Sequence, residues 1–471
     1  MASLDMRCLT PSPTSTSISS SSDETMTMQT DSIASPTVSG RRAPLRYAYP
    51  LKNPLEYPIK SVEFNESGEL LAVGDELGTV CVFKQNPGSC EYTQYASFQS
   101  HEEEFDCLKS MQISPSIVAV EWLKKTNQHD LLLVSNERTV KLWKLSERSC
   151  SISGAWNTKK NPSEGLVIPQ LVPAPLVIEA VPKRVFANGH SYLIHSVSAT
   201  ADQETFLTAD ELRINLWNYE VTNETFNILN TKPEDIQQLT EVITSLQCHP
   251  IEGNLFAFAT SKGPVRLVDM RDRALCEGKH KSKLNLVCGH YIHFLSAFEF
   301  DHQALLGLTT DDAFYSDLIA SISSVKFSNS GRYMLTRDFL SLKIWDINME
   351  RQPVTVIPIH EDLRDRLPYV YENDLFFDRF NCAWSPDDCK VVTGSYDMFY
   401  SSDMDYLKGS SDSVVFEYPV PARRRELTHT SEKIRRRFGR RALCTAYHPQ
   451  EHIMVVGAGR KLLLYVDRTN Y

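Results

Sequence analysis

Short runs of alternating apolar and polar residues, separated by small polar turns, recur along most of the chain. In the first unit, Ser61-Val62-Glu63-Phe64 is followed by a turn at residues 65–68 and an apolar return at 70–74. Period-two alternation broken by Ser-Gly or His-Pro turns is typical of β-hairpins. A further strand at residues 79–83 then closes the unit on an aromatic side chain.

Seven such units can be counted, and their uneven spacing places long loops between some of them. Opening strands are predicted at residues 61–64, 118–122, 196–198, 243–246, 324–327, 382–384 and 444–447. Closing strands are predicted at residues 79–83, 139–144, 213–218, 265–269, 342–346, 398–400 and 462–467. A long-period repeat of strands predicts an all-β fold, here a seven-bladed WD-type β-propeller that spans residues 46–471 and closes on itself.

Regions outside the repeat differ in composition. Residues 1–45 are rich in Ser, Thr and Pro, and they cannot bury enough apolar surface to offset their ordering entropy, so we expect a disordered tail. Three long connections, at residues 146–183, 280–312 and 419–441, are expected to carry the individuality of the protein.

Charge and cysteine usage narrow the class of protein. The net charge of −10 disfavours nucleic acid as a partner. Eleven dispersed cysteines without a Cys-x-x-Cys pair indicate reduced thiols, and no apolar segment predicts a secretory signal or a membrane span. We therefore expect the cytoplasm, with the nucleus as a second location. The arginines of 419–441 form either a nuclear localisation signal or, as we favour, a solvated basic loop.

Catalytic and metal-binding motifs are not apparent. The sequence has no Gly-rich phosphate loop, no nucleophile elbow and no paired-carboxylate motif, so we predict a protein that is not an enzyme and has no cofactor. Four histidines lie in or beside the 280–312 segment: His280, His290, His293 and His302. Because they lack a consistent ligand spacing, unrelated loop histidines are the better interpretation than a zinc site.

Several strings are too specific for a generic WD-type repeat. They include FQSHEEEFD at 98–106, VKLWKLSER at 140–148, FANGHSY at 186–192, LTEVIT at 239–244 and YEND at 371–374. Over residues 61–400 the chain resembles the 55-kDa regulatory B subunits of protein phosphatase 2A. The resemblance implies a non-catalytic propeller that joins a helical-repeat scaffold A subunit and a catalytic C subunit, and that recruits phosphoprotein substrates to them.

The resemblance also implies a substrate face. In the family, an acidic and partly apolar surface binds basic or helical segments of substrates, since carboxylates steer basic residues and apolar side chains anchor them. The matching positions here are Glu102, Glu104, Tyr192, Glu211, Leu239, Val242, Glu372, Asp374, Phe377 and Arg379. For each acidic residue taken alone an ordinary solvated loop is the favoured interpretation, but the match of the whole cluster to family positions favours the substrate face.

Residues 146–183 correspond to the family's β-hairpin arm, which grips the scaffold. Apolar residues that an arm buries only against a partner are expected to be exposed on the free subunit. The candidates for scaffold contact are Leu166, Ile168, Leu171, Val172, Leu176 and Ile178. An arm folded back on its own blade is the alternative.

Three features depart from the family pattern. The N-terminal strand that completes the last blade is expected to be missing, with only residues 45–49 as a substitute, and ring closure is therefore questioned. The His-rich stretch 284–309 is foreign to the family. Leu193 and Glu76 replace a histidine and a basic residue, which predicts an altered substrate preference. A WD-repeat adaptor for another machine, such as a ubiquitin ligase, and an assembly-impaired isoform remain alternatives; a channel-based hydrolase has no motif in its favour.

Overall fold

A computed structural model describes eleven segments of the chain. They are residues 46–51, 55–107, 110–125, 129–155, 169–271, 294–298, 313–349, 351–396, 398–404, 411–417 and 441–466. The chain divides into units 1–42 and 43–471, and all the described residues belong to the second unit. The predicted tail lies outside the described residues, as does the predicted basic loop except for Arg441.

Within these segments the strands form seven four-stranded antiparallel sheets, numbered here in chain order by their first strands. Sheet 1 contains β2 (Ile59–Phe64), β3 (Leu70–Asp75), β4 (Thr79–Gln85) and β5 (Tyr92–Gln99), and a hairpin of β6 (Glu104–Asp106) and β7 (Met111–Ile113) follows it. Sheet 2 contains β8 (Ala119–Trp122), β9 (Asp130–Ser135), β10 (Val140–Ala155) and β11 (Pro169–Phe186). Sheet 3 contains β12 (Ser196–Ala199), β13 (Thr205–Ala209), β14 (Arg213–Asn218) and β15 (Phe226–Asn230).

The remaining four sheets repeat this order. Sheet 4 contains β16 (Ile243–Cys248), β17 (Leu255–Thr260), β18 (Val265–Asp269) and β19 (Phe294–Phe298). Sheet 5 contains β20 (Ser324–Phe327), β21 (Tyr333–Arg337), β22 (Ser341–Asp346) and β23 (Thr355–Pro358). Sheet 6 contains β24 (Cys382–Trp384), β25 (Lys390–Gly394), β26 (Met398–Met404) and β27 (Ser411–Glu417). Sheet 7 contains β28 (Ala442–Tyr447), β29 (Ile453–Ala458), β30 (Lys461–Val466) and the N-terminal β1 (Arg46–Leu51).

Helices are few and lie in the connections between sheets. In the described segments the α-helices are α1 (Ala313–Ala320) and α2 (Leu367–Glu372), and short 3-10 turns occur at Ile236–Gln238, Glu361–Arg366 and Leu375–Phe377. The molecule is an all-β propeller, and the predicted opening and closing strands are confirmed as first and third strands of the sheets.

The first strands of the seven sheets lie at the centre, and neighbouring first strands are joined by side chains. Ser196 and Ser198 of β12 accept hydrogen bonds from the backbone N–H groups of Leu246 and Cys248 of β16, at 3.3 and 3.1 Å. Ser245 and Gln247 of β16 do the same for Val325 and Phe327 of β20, at 3.2 and 2.6 Å. The constant offset shows that these strands run parallel, so they begin at one end of the molecule, which we call the upper face.

The hydrophobic core lies between neighbouring sheets. Phe186 of sheet 2 meets Phe206 and Trp217 of sheet 3 with ring centroids 4.9 and 5.7 Å apart, and all three side chains are buried. A buried tryptophan still needs a partner for its indole N–H. Trp217 donates to Thr208 Oγ1 at 2.9 Å, and Trp345 donates to Thr336 Oγ1 at 3.0 Å. Tryptophans on the third strand therefore anchor the sheets by both packing and hydrogen bonding.

The expectation that the closing N-terminal strand is missing is wrong. β1 pairs antiparallel with β30 from Arg46↔Val466 to Leu51↔Leu462 and so supplies the outer strand of sheet 7. Leu51 is buried, and the Tyr49 hydroxyl accepts the Tyr92 N–H and donates to the Cys90 carbonyl, both at 3.0 Å. The six residues of β1 have little resemblance to the family sequence. Leu51 and the Tyr49 hydroxyl nevertheless hold the strand in register.

The long hairpin of sheet 2 extends beyond its neighbour. β9 pairs with β10 only as far as Asp130↔Leu145, whereas β10 and β11 stay paired from Val140↔Phe186 to Ala155↔Pro169. From Ser146 onward the two strands form a hairpin without a third strand. Of the predicted scaffold-contact residues, Leu166 and Ile168 lie outside the described segments, Leu171, Val172 and Leu176 belong to β11, and Ile178 lies opposite Glu147.

Part of the predicted 280–312 insertion is a structural element. Phe294–Phe298 forms β19, which pairs with β18 from Val265↔Phe298 to Val268↔Phe294. The foreign stretch therefore contributes the outer strand of sheet 4. The four histidines of this region lie outside the described residues.

Candidate functional site on the upper face

All ten predicted substrate-face residues lie on the upper face. Nine belong to connections that lead into a first strand: Glu102 and Glu104 before β8, Tyr192 before β12, Leu239 and Val242 before β16, and Glu372, Asp374, Phe377 and Arg379 before β24. Glu211 lies in the turn between the second and third strands of sheet 3. The four carboxylates of Glu102, Glu104, Glu372 and Asp374 are exposed, and Phe377 is 68% exposed.

The structure brings Glu211 close to Val242 and to Arg379. The Ile243 N–H donates to the Glu211 carbonyl at 2.8 Å, which places Val242 beside the Glu211 turn. Burial lowers the pKa of Arg379, and the nearby Glu211 carboxylate opposes that shift. In the described residues, no hydrogen bond or ion pair joins Glu102 or Glu104 to the other eight.

The Glu211 turn is held by a buried hydrogen-bond network. His190 Nδ1 lies 2.8 Å from Asp210 Oδ2, and Asp210 Oδ1 accepts the backbone N–H groups of Leu212 and Arg213, each at 2.7 Å. Burial alone would raise the pKa of Asp210, but these hydrogen bonds lower it. Asp210 is therefore ionised and fixes the turn that presents its neighbour Glu211.

The segment with Glu372, Asp374 and Phe377 is also fixed from below. The buried Tyr396 hydroxyl donates to the Leu375 carbonyl at 2.9 Å and lies 2.8 Å from Asp378 Oδ2. The Arg441 guanidinium donates to Asp378 Oδ1 at 2.6 Å. Because these bonds hold the chain after the turn, the acidic and aromatic side chains project from a defined platform.

A central cavity of about 390 Å³ lies below this platform and is lined by the first strands of all seven sheets. Glu63, Glu121 and Lys326 are among the residues that line it, and they interact electrostatically. Burial, and then the Glu63 carboxylate, raise the pKa of Glu121 to about 7, while Lys326 opposes this. The cavity has a mainly polar lining. Among the described residues, no group of three or more His, Cys, Asp or Glu is placed to hold a metal ion.

Four further exposed apolar side chains on the upper face were not predicted. Phe105, Ile236, Phe314 and Tyr371 are 63, 54, 59 and 44% exposed, and Phe314 packs edge-on against Tyr371 with centroids 5.3 Å apart. Leu193, predicted to weaken a polar contact, is 41% exposed. Whether an apolar side chain is exposed depends on how the neighbouring loops fold. The only signal in the sequence was that these residues lie in the connections that precede first strands.

Glu76, which replaces a basic residue of the family, is exposed, and its neighbour Asp75 has a structural role. Asp75 is buried, and its Oδ1 accepts the N–H groups of Leu77 and Thr79 at 3.0 and 2.8 Å. Glu76 lies 3.6 Å from Lys60. Only Glu76 therefore adds an accessible carboxylate, and a lysine partly neutralises it.

Acid should destabilise the protein through His101, beside Glu102. His101 is 1% exposed, and burial, followed by the Lys141 charge, lowers its pKa to about 3. Between pH 6.5 and 3 the unfolded chain binds a proton there that the folded chain does not, so this contribution falls by about 1.4 kcal/mol per pH unit as the pH drops. The test is the free energy of unfolding in urea, measured for wild type and for H101L. Between pH 6 and pH 5 we expect the value for H101L to rise relative to that of wild type by about 1.4 kcal/mol.

The comparison with the variant is needed because protonation of Glu121 changes the stability of the fold in the opposite direction. Its raised pKa means that the folded chain takes up a proton first as the pH falls through 7, which stabilises the fold. H101L retains Glu121, so the difference between the two proteins isolates the histidine. A difference that is constant with pH would contradict the prediction.

No helix in the described part of the chain is long and apolar enough to cross a membrane.

No family model matches the chain. Two curated proteins are similar over most of their length. The Caenorhabditis elegans serine/threonine-protein phosphatase 2A regulatory subunit sur-6 is 41% identical over 449 residues, which cover 87% of this chain and 86% of that protein. The Drosophila melanogaster protein phosphatase PP2A 55 kDa regulatory subunit is 42% identical over 438 residues, covering 87% and 83%. Identity at this level over nearly whole chains shows common family, and the chain thus belongs to the 55-kDa regulatory subunits of protein phosphatase 2A.

Proposed function

We propose that this non-catalytic regulatory subunit joins a scaffold A subunit and a catalytic C subunit and recruits phosphoprotein substrates that carry basic segments. Membership of the family gives the regulatory role in the phosphatase complex. The observation that carries the substrate class is the upper face, where fixed loops present exposed carboxylates beside exposed aromatic side chains. Carboxylates attract lysine and arginine, and aromatic side chains supply most of the anchoring energy in such interfaces.

We further propose that the seven four-stranded sheets are the seven blades of one closed ring. The first strands β2, β8, β12, β16, β20, β24 and β28 each contact the next, and β28 contacts β2. At the join between sheets 7 and 1, the Cys444 thiol lies 2.9 Å from the Lys60 carbonyl. A closed ring holds the last sheet against the first and leaves only short outer edges on the sheets.

The arm is proposed to bind the scaffold, and the cytoplasm and nucleus are proposed as the sites of action. Support for the arm comes from the hairpin of β10 and β11, which projects beyond β9. Val177 is 56% exposed on that hairpin, as expected for an apolar residue that a partner covers. A docking subunit needs only modest affinity for substrate, because tethering raises the effective concentration near the catalytic centre.

Co-purification with scaffold and catalytic subunits tests the proposal. We expect full-length chain, scaffold and catalytic subunit to elute together from size-exclusion chromatography as a stable 1:1:1 complex, because the family relatives cover almost the whole chain. A hairpin deletion that joins Leu145 to Ala180, which are paired neighbours in sheet 2, is the control and should abolish assembly while leaving the ring folded.

Failure of the soluble, folded chain to enter the complex would contradict the proposal. In that case an affinity capture that returns a ubiquitin ligase would favour an adaptor, and one that returns the scaffold alone would favour an assembly-impaired isoform.

A further inference from the structure

The root of the arm is the point at which the hairpin leaves sheet 2. β9 stops pairing at Leu145, and Glu147 is the second residue beyond that point. A two-stranded hairpin in water has little stability or stiffness of its own. Contacts made at its root therefore decide how well its direction is defined.

On one side, Glu147 contacts sheet 1. The Tyr95 hydroxyl of β5 donates to Glu147 Oε1 at 2.9 Å, and Lys84 Nζ of β4 donates to the same oxygen at 3.1 Å. Lys84 also lies 5.1 Å from the centroid of the Tyr95 ring, so the three side chains form one closed cluster. Hydrogen bonds from Lys84 and then Tyr95 lower the pKa of Glu147, which is consistent with an ionised carboxylate at the centre of the cluster.

On the other side, Arg184 of β11 contacts sheet 3; it pairs with Leu142 inside sheet 2, four residues along β11 from Ala180 at the root. Its guanidinium makes an ion pair with the Glu220 carboxylate and also donates to the Glu220 carbonyl. Glu220 is itself held in a turn, because its N–H donates to Asn218 Oδ1 at 2.7 Å and the Val221 N–H donates to the Asn218 carbonyl at 3.2 Å. The second contact thus reaches a defined structure and not a free side chain.

We propose that these two contacts, Glu147 with Tyr95 and Lys84, and Arg184 with Glu220, brace the arm from both flanks and set its direction for binding the scaffold. This inference rests on the proposed scaffold role of the arm. Each contact is exposed and weak alone, but contacts to opposite neighbours limit movement in both senses. An arm that is already directed loses less entropy on binding than one that moves freely.

Glu147 and Arg184 are positioning residues in this account, since they act through the arm and not through direct contact with the scaffold. The double variant E147A/R184A removes both braces but keeps every apolar residue of the hairpin. A matched control is E252A/R271A, which removes an exposed glutamate–arginine pair, 3.6 Å apart, and the Arg271–Asp269 pair beside it, at the end of sheet 4 opposite the upper face. Equal melting temperatures of the variants and wild type establish that each ring is folded.

The direction of the arm can be measured independently of any partner. Spin labels on genetically encoded amino acids at residue 154, in the arm, and residue 262, in the turn between β17 and β18, avoid the native cysteines. In full-length protein we expect a single narrow distance distribution for wild type and for E252A/R271A, and a distribution about twice as wide for E147A/R184A. Affinity for the isolated scaffold subunit should fall about tenfold in E147A/R184A and stay unchanged in the control.

An unchanged distance distribution in E147A/R184A would overturn the inference, whatever the affinity. A broadened distribution with unchanged affinity would overturn the link between arm direction and scaffold binding. If wild type does not bind the scaffold at all, the proposed function fails, and the distance measurement alone still decides whether the arm is braced.

Discussion

Replacing Glu372 and Asp374 with lysine is expected to weaken binding of a basic-flanked phosphopeptide by about 30-fold, or roughly 2 kcal/mol. Both carboxylates are exposed on the platform that Tyr396 and Arg441 hold in place, so the charge reversal changes the surface without disturbing the core. Repulsion replaces attraction at a site close to Phe377, which is expected to anchor the peptide. Fluorescence anisotropy with the assembled complex, at low and high salt, measures the effect, which should shrink at high salt.

The control is E66K/E224K, which changes net charge equally at exposed turns of the opposite face. It should bind the peptide like wild type, apart from a small general effect of net charge. Assembly with scaffold and catalytic subunits should be retained by both variants. Wild-type affinity in E372K/D374K would show that substrates dock elsewhere on the molecule.

Removing residues 1–54 is expected to cost about 3–6 kcal/mol of folding stability and to cause self-association. This truncation deletes β1, including the buried Leu51, and exposes the edge of β30. It also removes the Tyr49 hydroxyl, which joins sheet 7 to sheet 1 through Tyr92 and Cys90. An unpaired strand edge is a template for pairing with other chains.

Thermal unfolding and light scattering measure both effects. The matched truncation removes residues 1–42, which keeps β1 and the whole second unit. Its melting temperature should equal that of the full chain. If both truncated proteins melt together and remain monomeric, the closing strand contributes nothing and sheet 7 is stable with three strands.

The strands of the ring could be predicted because their signal is local. Alternation, a turn and an aromatic third strand recur in each unit, and the predicted first strands at residues 324–327 and 382–384 coincide with β20 and β24. β1 was named only as a possible substitute strand at residues 45–49, and β19 was not predicted, because an outer strand is specified mainly by the edge it joins. Tyr49 of β1 pairs with a residue that is distant in the chain. Phe294 of β19 lies in a segment unlike the rest of the repeat.

The candidate site was predicted only as far as family resemblance reaches. Glu372 and Asp374 were named from a short string, and the structure places them on one platform, while their role in binding stays a prediction. Phe314 and Tyr371 were missed because α1 and α2 become neighbours only in the folded ring. Glu76 and Asp75 are adjacent acidic residues that look alike in sequence, and only the structure shows that Glu76 is exposed and that Asp75 is a buried turn carboxylate.

The pairing of β1 with β30 also determines when folding can finish. Arg46 pairs with Val466, which is synthesised about 420 residues later. At about 5–20 residues per second, β1 therefore lacks its partner strand for roughly 20 to 80 seconds of synthesis. During that interval sheets 1 to 6 can form, but the last sheet cannot. The nascent chain therefore carries an adhesive N-terminal strand through nearly all of its synthesis, and its yield in cells should depend on how long chaperones protect that strand.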